Sequence, residues 1–111
     1  MPPATKEVVV YETEDEYRVY PASEVLDAGN GDKLMVTNQT DEELIFFASA
    51  EAFDNTNKPT LELVPANDSV TTKAAKSRGP GKKRVFTYQV IAPKSGKKAQ
   101  GNSDPIIIIE N

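Results

Sequence analysis

The sequence predicts an all-β domain on three observations. Helical periodicity is nearly absent along the 111 residues. The apolar residues come instead in short runs, "VVVY", "KLMVTN", "ELIFFA", "VFTYQVI" and the isoleucines of 106–109, rich in β-branched and aromatic side chains. Gly, Pro, Asn and Asp bound those runs, which is the pattern of many short strands in a sandwich or barrel. The length fits one domain with a single core, so the whole chain, 1–111, is read as one unit.

In order, the expected strands are 7–11, 17–21, 23–27, 33–38, 43–48, 60–64, 69–74, 84–91 and 106–110. Within 33–38, Leu34 and Val36 point one way and Met35 and Thr37 the other. Within 84–91, Phe86, Tyr88 and Val90 share a face and are expected to enter the core beside Leu34 and Val36. The strands 43–48 and 106–110 are apolar on both faces, which predicts cover on both sides. The isoleucine tract would be an aggregation hazard if exposed, so it should be paired and buried. Pro105 suits its start, where a missing N–H costs little. "DAGNGDK" can supply positive φ at Gly29, Asn30 and Gly31. "SRGPGKK" is a breaker between strands. "SAEAF" reads as one helical turn capped by Ser49.

Composition excludes much chemistry. The chain has no Cys and no His. Disulfides, thiol nucleophiles, zinc clusters and imidazole-dependent triads are therefore ruled out. No apolar run is long enough to cross a bilayer as a helix. The amino terminus, "MPPATKEVVVYETEDE", lacks the pattern of a signal peptide. The expected compartment is cytoplasmic by default, with a mature secreted form as the alternative. The net charge of −4 conceals an asymmetry. Residues 1–72 carry 15 acidic and 4 basic side chains, a balance of −11, and 73–111 carry 9 basic and 2 acidic, a balance of +7. Such asymmetry can mark a partner surface.

The remaining signals favour plain structural readings. "ETEDE" (12–16) and "TDEE" (40–43) lack the spacing of a calcium loop and read as solvated acidic turns. Nothing sets two carboxylates across a cleft, so no catalytic pair is expected. "RGPGKK" lacks both the Walker spacing and the strand-to-helix context of a phosphate loop. The basic group from Lys73 to Arg84 has no interleaved aromatics. The strand 84–91 separates it from Lys94, Lys97 and Lys98 by about 25 Å, at about 3.3 Å per residue, so no single nucleic-acid groove is expected. Asn38-Gln39-Thr40 and Asn67-Asp68-Ser69 are glycosylation sequons, relevant only in a secretory eukaryotic setting.

Three pieces, in order, resemble the cupredoxin family of blue-copper Greek-key sandwiches. "YRVYPASEVLDAGNGDKLMVTNQTDEE" is similar to the opening hairpin. "LELVPANDSVTTKAA" is similar to a turn feeding a strand of Ser, Val and Thr. "RVFTYQVIAPKSG" resembles the aromatic strand that enters the copper loop, before a final apolar strand. The match spans about 17–110 and leaves 1–16 outside. The resemblance implies a cysteine ligand at Val90 and a loop histidine between Pro93 and Lys97. It implies an axial ligand within 99–102 and an early histidine at Glu43 or Leu44. None of these residues is a ligand of the required type. What is implied is a cupredoxin-like Greek-key β-sandwich without copper or any other cofactor. It would act as a binding or structural module, not an enzyme.

The long loop 92–104 would then be free for other use. Lys94, Lys97 and Lys98 are the candidate surface for an anionic protein partner, the bland alternative being that they only keep the domain soluble. Nucleic acid and membrane are not expected partners, and a monomer is expected over an oligomer. The competing fold is an immunoglobulin-like adhesion or assembly sandwich, whose constant type is antiparallel throughout.

Overall fold

The computed structural model describes residues 3–101 and 104–110. Nine strands form: β1 (Thr5–Thr13), β2 (Glu16–Tyr20), β3 (Ser23–Asp27), β4 (Lys33–Asn38), β5 (Leu44–Ala48), β6 (Thr60–Val64), β7 (Ser69–Thr71), β8 (Arg84–Ile91) and β9 (Ile106–Glu110). They make a four-stranded sheet of order β2-β1-β4-β7 and a five-stranded sheet of order β3-β9-β8-β5-β6. Both sheets are mixed: β1 runs parallel to β4, and β3 runs parallel to β9. The core lies between them. Val8, Val10, Leu34 and Val36 from one sheet face Leu26, Leu44, Phe46, Tyr88, Val90, Ile107 and Ile109 from the other. Phe46 anchors an aromatic group, with its ring 5.3 Å from Tyr88 and 6.4 Å from Phe53 between centroids.

Most strand positions follow the sequence pattern, and the departures have local causes. β1 begins at Thr5 and sits between β2 and β4, so the amino-terminal stretch outside the family resemblance supplies an interior strand. Its start is fixed by Asp32, which is buried. One carboxylate oxygen of Asp32 accepts from Ala4 N–H at 2.9 Å, and the other from Asp27 N–H at 2.9 Å. β7 ends at Thr71, short of 74, because Thr72 breaks the ladder. The Thr72 hydroxyl accepts from Leu34 N–H at 3.1 Å, where a strand would offer its carbonyl.

The turn after β3 is a 3₁₀ helix, Ala28–Asn30, and positive φ falls only on Gly31, at 74°. Neither Gly29 nor Asn30 needs it. Ser49 accepts from Glu51 N–H, as its capping role predicts, but the segment closes as a single turn through Ala52 N–H to Ser49 O at 3.0 Å. That turn carries Phe53 into the core.

Cover on both faces of the apolar strands is corrected. Phe46 is wholly buried, yet its neighbour Phe47 is exposed. In β9, Ile107 and Ile109 are wholly buried while Ile106 and Ile108 are half-buried. β9 is paired on both sides, by β3 and β8, so its backbone is protected as expected. Phe86 lies on the inner face with Tyr88 and Val90 but is only half-buried, with the Arg84 guanidinium 5.7 Å over its ring.

Two buried polar side chains stand in opposite states. The Asn38 amide is fully satisfied. Its Nδ2 donates to Glu42 O at 2.7 Å, Val64 O at 3.1 Å and Pro65 O at 3.1 Å, and its Oδ1 accepts from Thr40 N–H at 2.9 Å and the Thr40 hydroxyl at 2.7 Å. Its Nδ2 is thus committed within the fold and unavailable to a glycan. The Tyr88 hydroxyl is buried with no partner among the described residues. Asn38→Ala should therefore cost about 3 kcal/mol or more, because several buried groups lose their partners together. Tyr88→Phe should cost under about 1 kcal/mol, because no bond is lost. Urea unfolding of both variants checks the contrast; equal losses would contradict it.

Candidate functional site

The loop after β8 folds back on the sandwich. Ala92 N–H donates to Lys97 O at 2.8 Å and Gly96 N–H to Ala92 O at 2.8 Å, closing 92–97 into a compact turn with Gly96 at φ 76°. The chain then returns extended. Ala99 N–H donates to Val90 O at 2.8 Å, on the five-stranded sheet. Gln100 N–H donates to Tyr17 O at 2.9 Å, and Val19 N–H donates to Gln100 O at 2.9 Å, on the outer edge of β2. The segment therefore bridges the two sheets and satisfies backbone groups on an otherwise open edge.

Side chains fasten the turn to the same end of the fold. Tyr17 is buried on the inner face of β2, and its hydroxyl donates to Glu42 Oε2. Lys97 Nζ lies 5.0 Å over the Tyr17 ring and 3.7 Å from Glu12 Oε2. The Tyr17 phenol is pushed up to about 12, first by its hydrogen bond to the Glu42 carboxylate, then by burial and by the charges of Glu42 and Glu12. Glu42 is held below the usual carboxylate value, chiefly by the Tyr17 hydroxyl, and further by hydrogen bonds from Ser95 and the Lys97 charge. Tyr17, Glu42, Ser95 and Lys97 thus form one polar clamp drawn from β2, the turn before β5, and the loop.

The three lysines consequently separate. Lys97 is half-buried and engaged in the clamp. Lys94 and Lys98 are exposed. A shallow hollow of about 190 Å³ lies beside the clamp, lined by Asp15, Glu16, Tyr17, Lys97, Lys98 and Gln100. The sequence places Glu42 only within the solvated acidic turn 40–43, which the structure corrects by bonding Glu42 to Tyr17 and burying Thr40, and it does not single out Tyr17 or Ser95. The three come from distant segments, and no local pattern announces their meeting.

Several of the positions that the resemblance assigns to copper ligands are apolar or engaged elsewhere. Val90, Leu44 and Ala99 are buried among core residues. Between Pro93 and Lys97 the loop offers Ser95 to Glu42. Asn102, the last position of the axial range, lies outside the described residues. Among the described residues, no three of His, Cys, Asp or Glu gather as a metal-binding group.

The second basic region is also engaged by its own fold. Arg84 Nη1 donates to Glu51 O at 2.9 Å and Nη2 donates to Lys76 O, while Arg78 pairs with Glu51. Burial, and then the Arg78 charge, lower the Arg84 pKa from the usual arginine value. Lys83 lies 3.5 Å from Glu110. Compared with models of known protein families and with characterised proteins, the sequence matches none of them.

The clamp has a pH signature. The folded Tyr17 pKa lies above its ordinary value of 10.0, so the unfolded chain releases that proton first. The Tyr17 contribution to stability should be complete below pH 10 and be lost between pH 10 and about 12. Glu42 acts oppositely: its contribution is present above about 4.5 and is lost as pH falls below that value. Glu42→Gln should move the Tyr17 phenol back toward 10, read as earlier-titrating ultraviolet absorbance, while the Tyr88 phenol, raised by its own burial, stays high. An unchanged titration would mean that the Tyr17–Glu42 bond does not form in solution.

Proposed function

We propose that this chain is a cupredoxin-like, Greek-key β-sandwich without metal, serving as a protein-binding or structural module with no catalytic activity. One observation carries the reading. At the end of the sandwich where the resemblance asks for thiolate, imidazole and a weak axial donor, the chain has buried Val90, Leu44 and Ala99. A blue-copper centre needs soft donors that aliphatic side chains cannot supply. The parallel pairing of early β3 with the last strand, β9, favours this fold over an immunoglobulin constant-type sandwich, which is antiparallel throughout.

The loop supports a binding role more than a chemical one. Its backbone is held at both sheets, so Lys94 and Lys98 are displayed from a positioned turn, not a floppy connection. Their partner in this reading is an anionic protein surface, approached by charge steering and weakened by salt. Lys97 is left out of the contact because its charge is committed to Glu12 and the Tyr17 ring.

Two measurements test the reading. Titration with Cu(I) and Cu(II) should give no tight site and no blue charge-transfer band, since no thiolate is present to produce one. A stoichiometric copper site at the loop would overturn the metal-free half. For the binding half, partners recovered on immobilised wild-type protein should be lost or weakened by Lys94→Glu with Lys98→Glu, and by raised salt. Unchanged recovery at all salt concentrations would reduce the two lysines to solvated side chains.

A further inference from the structure

The two sheets differ in what they show to solvent. The outer face of the four-stranded sheet mixes polar side chains with Val9, Tyr11, Tyr20 and Met35. Across it Thr37 Oγ1 donates to Glu7 Oε2 at 2.5 Å and shares a hydrogen bond with Ser69 at 2.9 Å. On the five-stranded sheet the outward positions are Ser23, Val25 and Asp27 of β3, Ile106, Ile108 and Glu110 of β9, Val85, Thr87, Gln89 and Ile91 of β8, Ile45 and Phe47 of β5, and Leu61 and Leu63 of β6. The charges lie at the ends of this face: Asp27 and Glu110 pair at one end of the β3–β9 ladder, and Lys98 is bridged to Ile91 at the end of β8.

The register arranges them in rows. Leu63, Ile45 and Ile91 align across β6-β5-β8, with Leu61 and Phe47 in the next row. Val25, Ile108 and Val85 align across β3-β9-β8. Val25 is 43% exposed, Phe47 41%, Leu61 64%, Leu63 51% and Val85 59%. Among the described residues, these are all the exposed large hydrophobics except two tyrosines, which lie on the other sheet.

We infer that this face is the contact between two copies of the chain, packed sheet against sheet about a two-fold axis. The area argues for it. Side chains of this size offer on the order of 100–200 Å² when fully exposed, so the five together present about 400 Å² of apolar surface. A standard interface covers about 800 Å² per partner, of which a little over half, about 450 Å², is apolar. The half-buried isoleucines of the same rows supply the remainder.

Charge and edge chemistry choose a second copy. At net charge −4 two copies repel at long range, and a face whose charges are confined to its ends limits that repulsion. The charges sit at the ends of the rows, as at Glu110 with its neighbours Asp27 and Lys83, giving an apolar centre and a polar rim. Edge-to-edge growth is opposed by Pro59 and Pro65, which bracket edge strand β6. Face-to-face packing repeats, on the outside, the roughly 10 Å sheet spacing of an interior.

The inference departs from the monomer expected from the sequence, and it does not depend on the lysine loop. Sedimentation equilibrium from about 1 μM to about 1 mM should show a closed monomer–dimer equilibrium. Phe47→Lys and Leu63→Lys should each abolish dimerisation with the fold retained by circular dichroism, whereas Lys94→Glu should leave it intact. In wild-type protein, amide resonances of Ile45, Phe47, Leu61, Leu63 and Val85 should shift with concentration, while those of Glu7, Thr37 and Ser69 stay fixed. That measurement stands even if a lysine variant fails to fold. A wild-type monomer at about 1 mM, a dimer unaffected by both lysine variants, or masses growing beyond the dimer would overturn the inference.

Discussion

The side-chain amide of Asn38 holds the two sheets in register at one end. It lies at the last position of β4, in the four-stranded sheet, and it bonds the carbonyls at the end of β6, in the five-stranded sheet. The same amide fixes the turn from Thr40 to Glu42 that leads into β5. Buried carbonyls at this junction have no water to turn to, and an unpaired one costs about 1–3 kcal/mol. A single amide with donors on one side and an acceptor on the other satisfies all of them. Once that turn is fixed, Glu42 is positioned for Tyr17, and the loop from β8 can close over both.

The loop's anchorage follows from this order of dependence. Its turn is closed by its own backbone, and its position is set by Glu42, Ser95, Lys97 and the Tyr17 ring. The returning segment then donates to β8 and exchanges bonds with β2. A connection of this length could have been loose, but here it substitutes for a strand along an exposed edge. The elements that hold it are mostly backbone groups and one carboxylate. A binding role can therefore vary the exposed side chains without unfastening the loop.

The faces of the sandwich obey different constraints. The four-stranded sheet balances its outward polar side chains against one another, as in the Glu7–Thr37–Ser69 chain of bonds. The five-stranded sheet carries a largely apolar surface outward, with Asp27 and Glu110 at one end, while burying an apolar surface inward. Central strands apolar on both faces usually lie under cover. Phe47 and Leu63 lie outside any cover that the described residues provide.

The sequence by itself determined the strands. Five of the nine, including 33–38 and 84–91, coincide with the observed bounds, because alternation and turn residues are local signals. It also settled the inward set, Leu34, Val36, Tyr88 and Val90, since the side-chain period of a strand is fixed by its geometry. Only the tertiary structure decided which apolar strands were covered twice. "LIFFA" reads the same whether or not a neighbour lies over Phe47, because cover depends on where other elements stop. Only the fold, too, separated Lys97 from Lys94 and Lys98. The three look equivalent in a short basic loop, and what divides them is the position of Tyr17 and Glu12, some eighty residues earlier in the chain. Contacts over such separations are set by how sheets stack and chains cross, and a local pattern of residues carries no record of them.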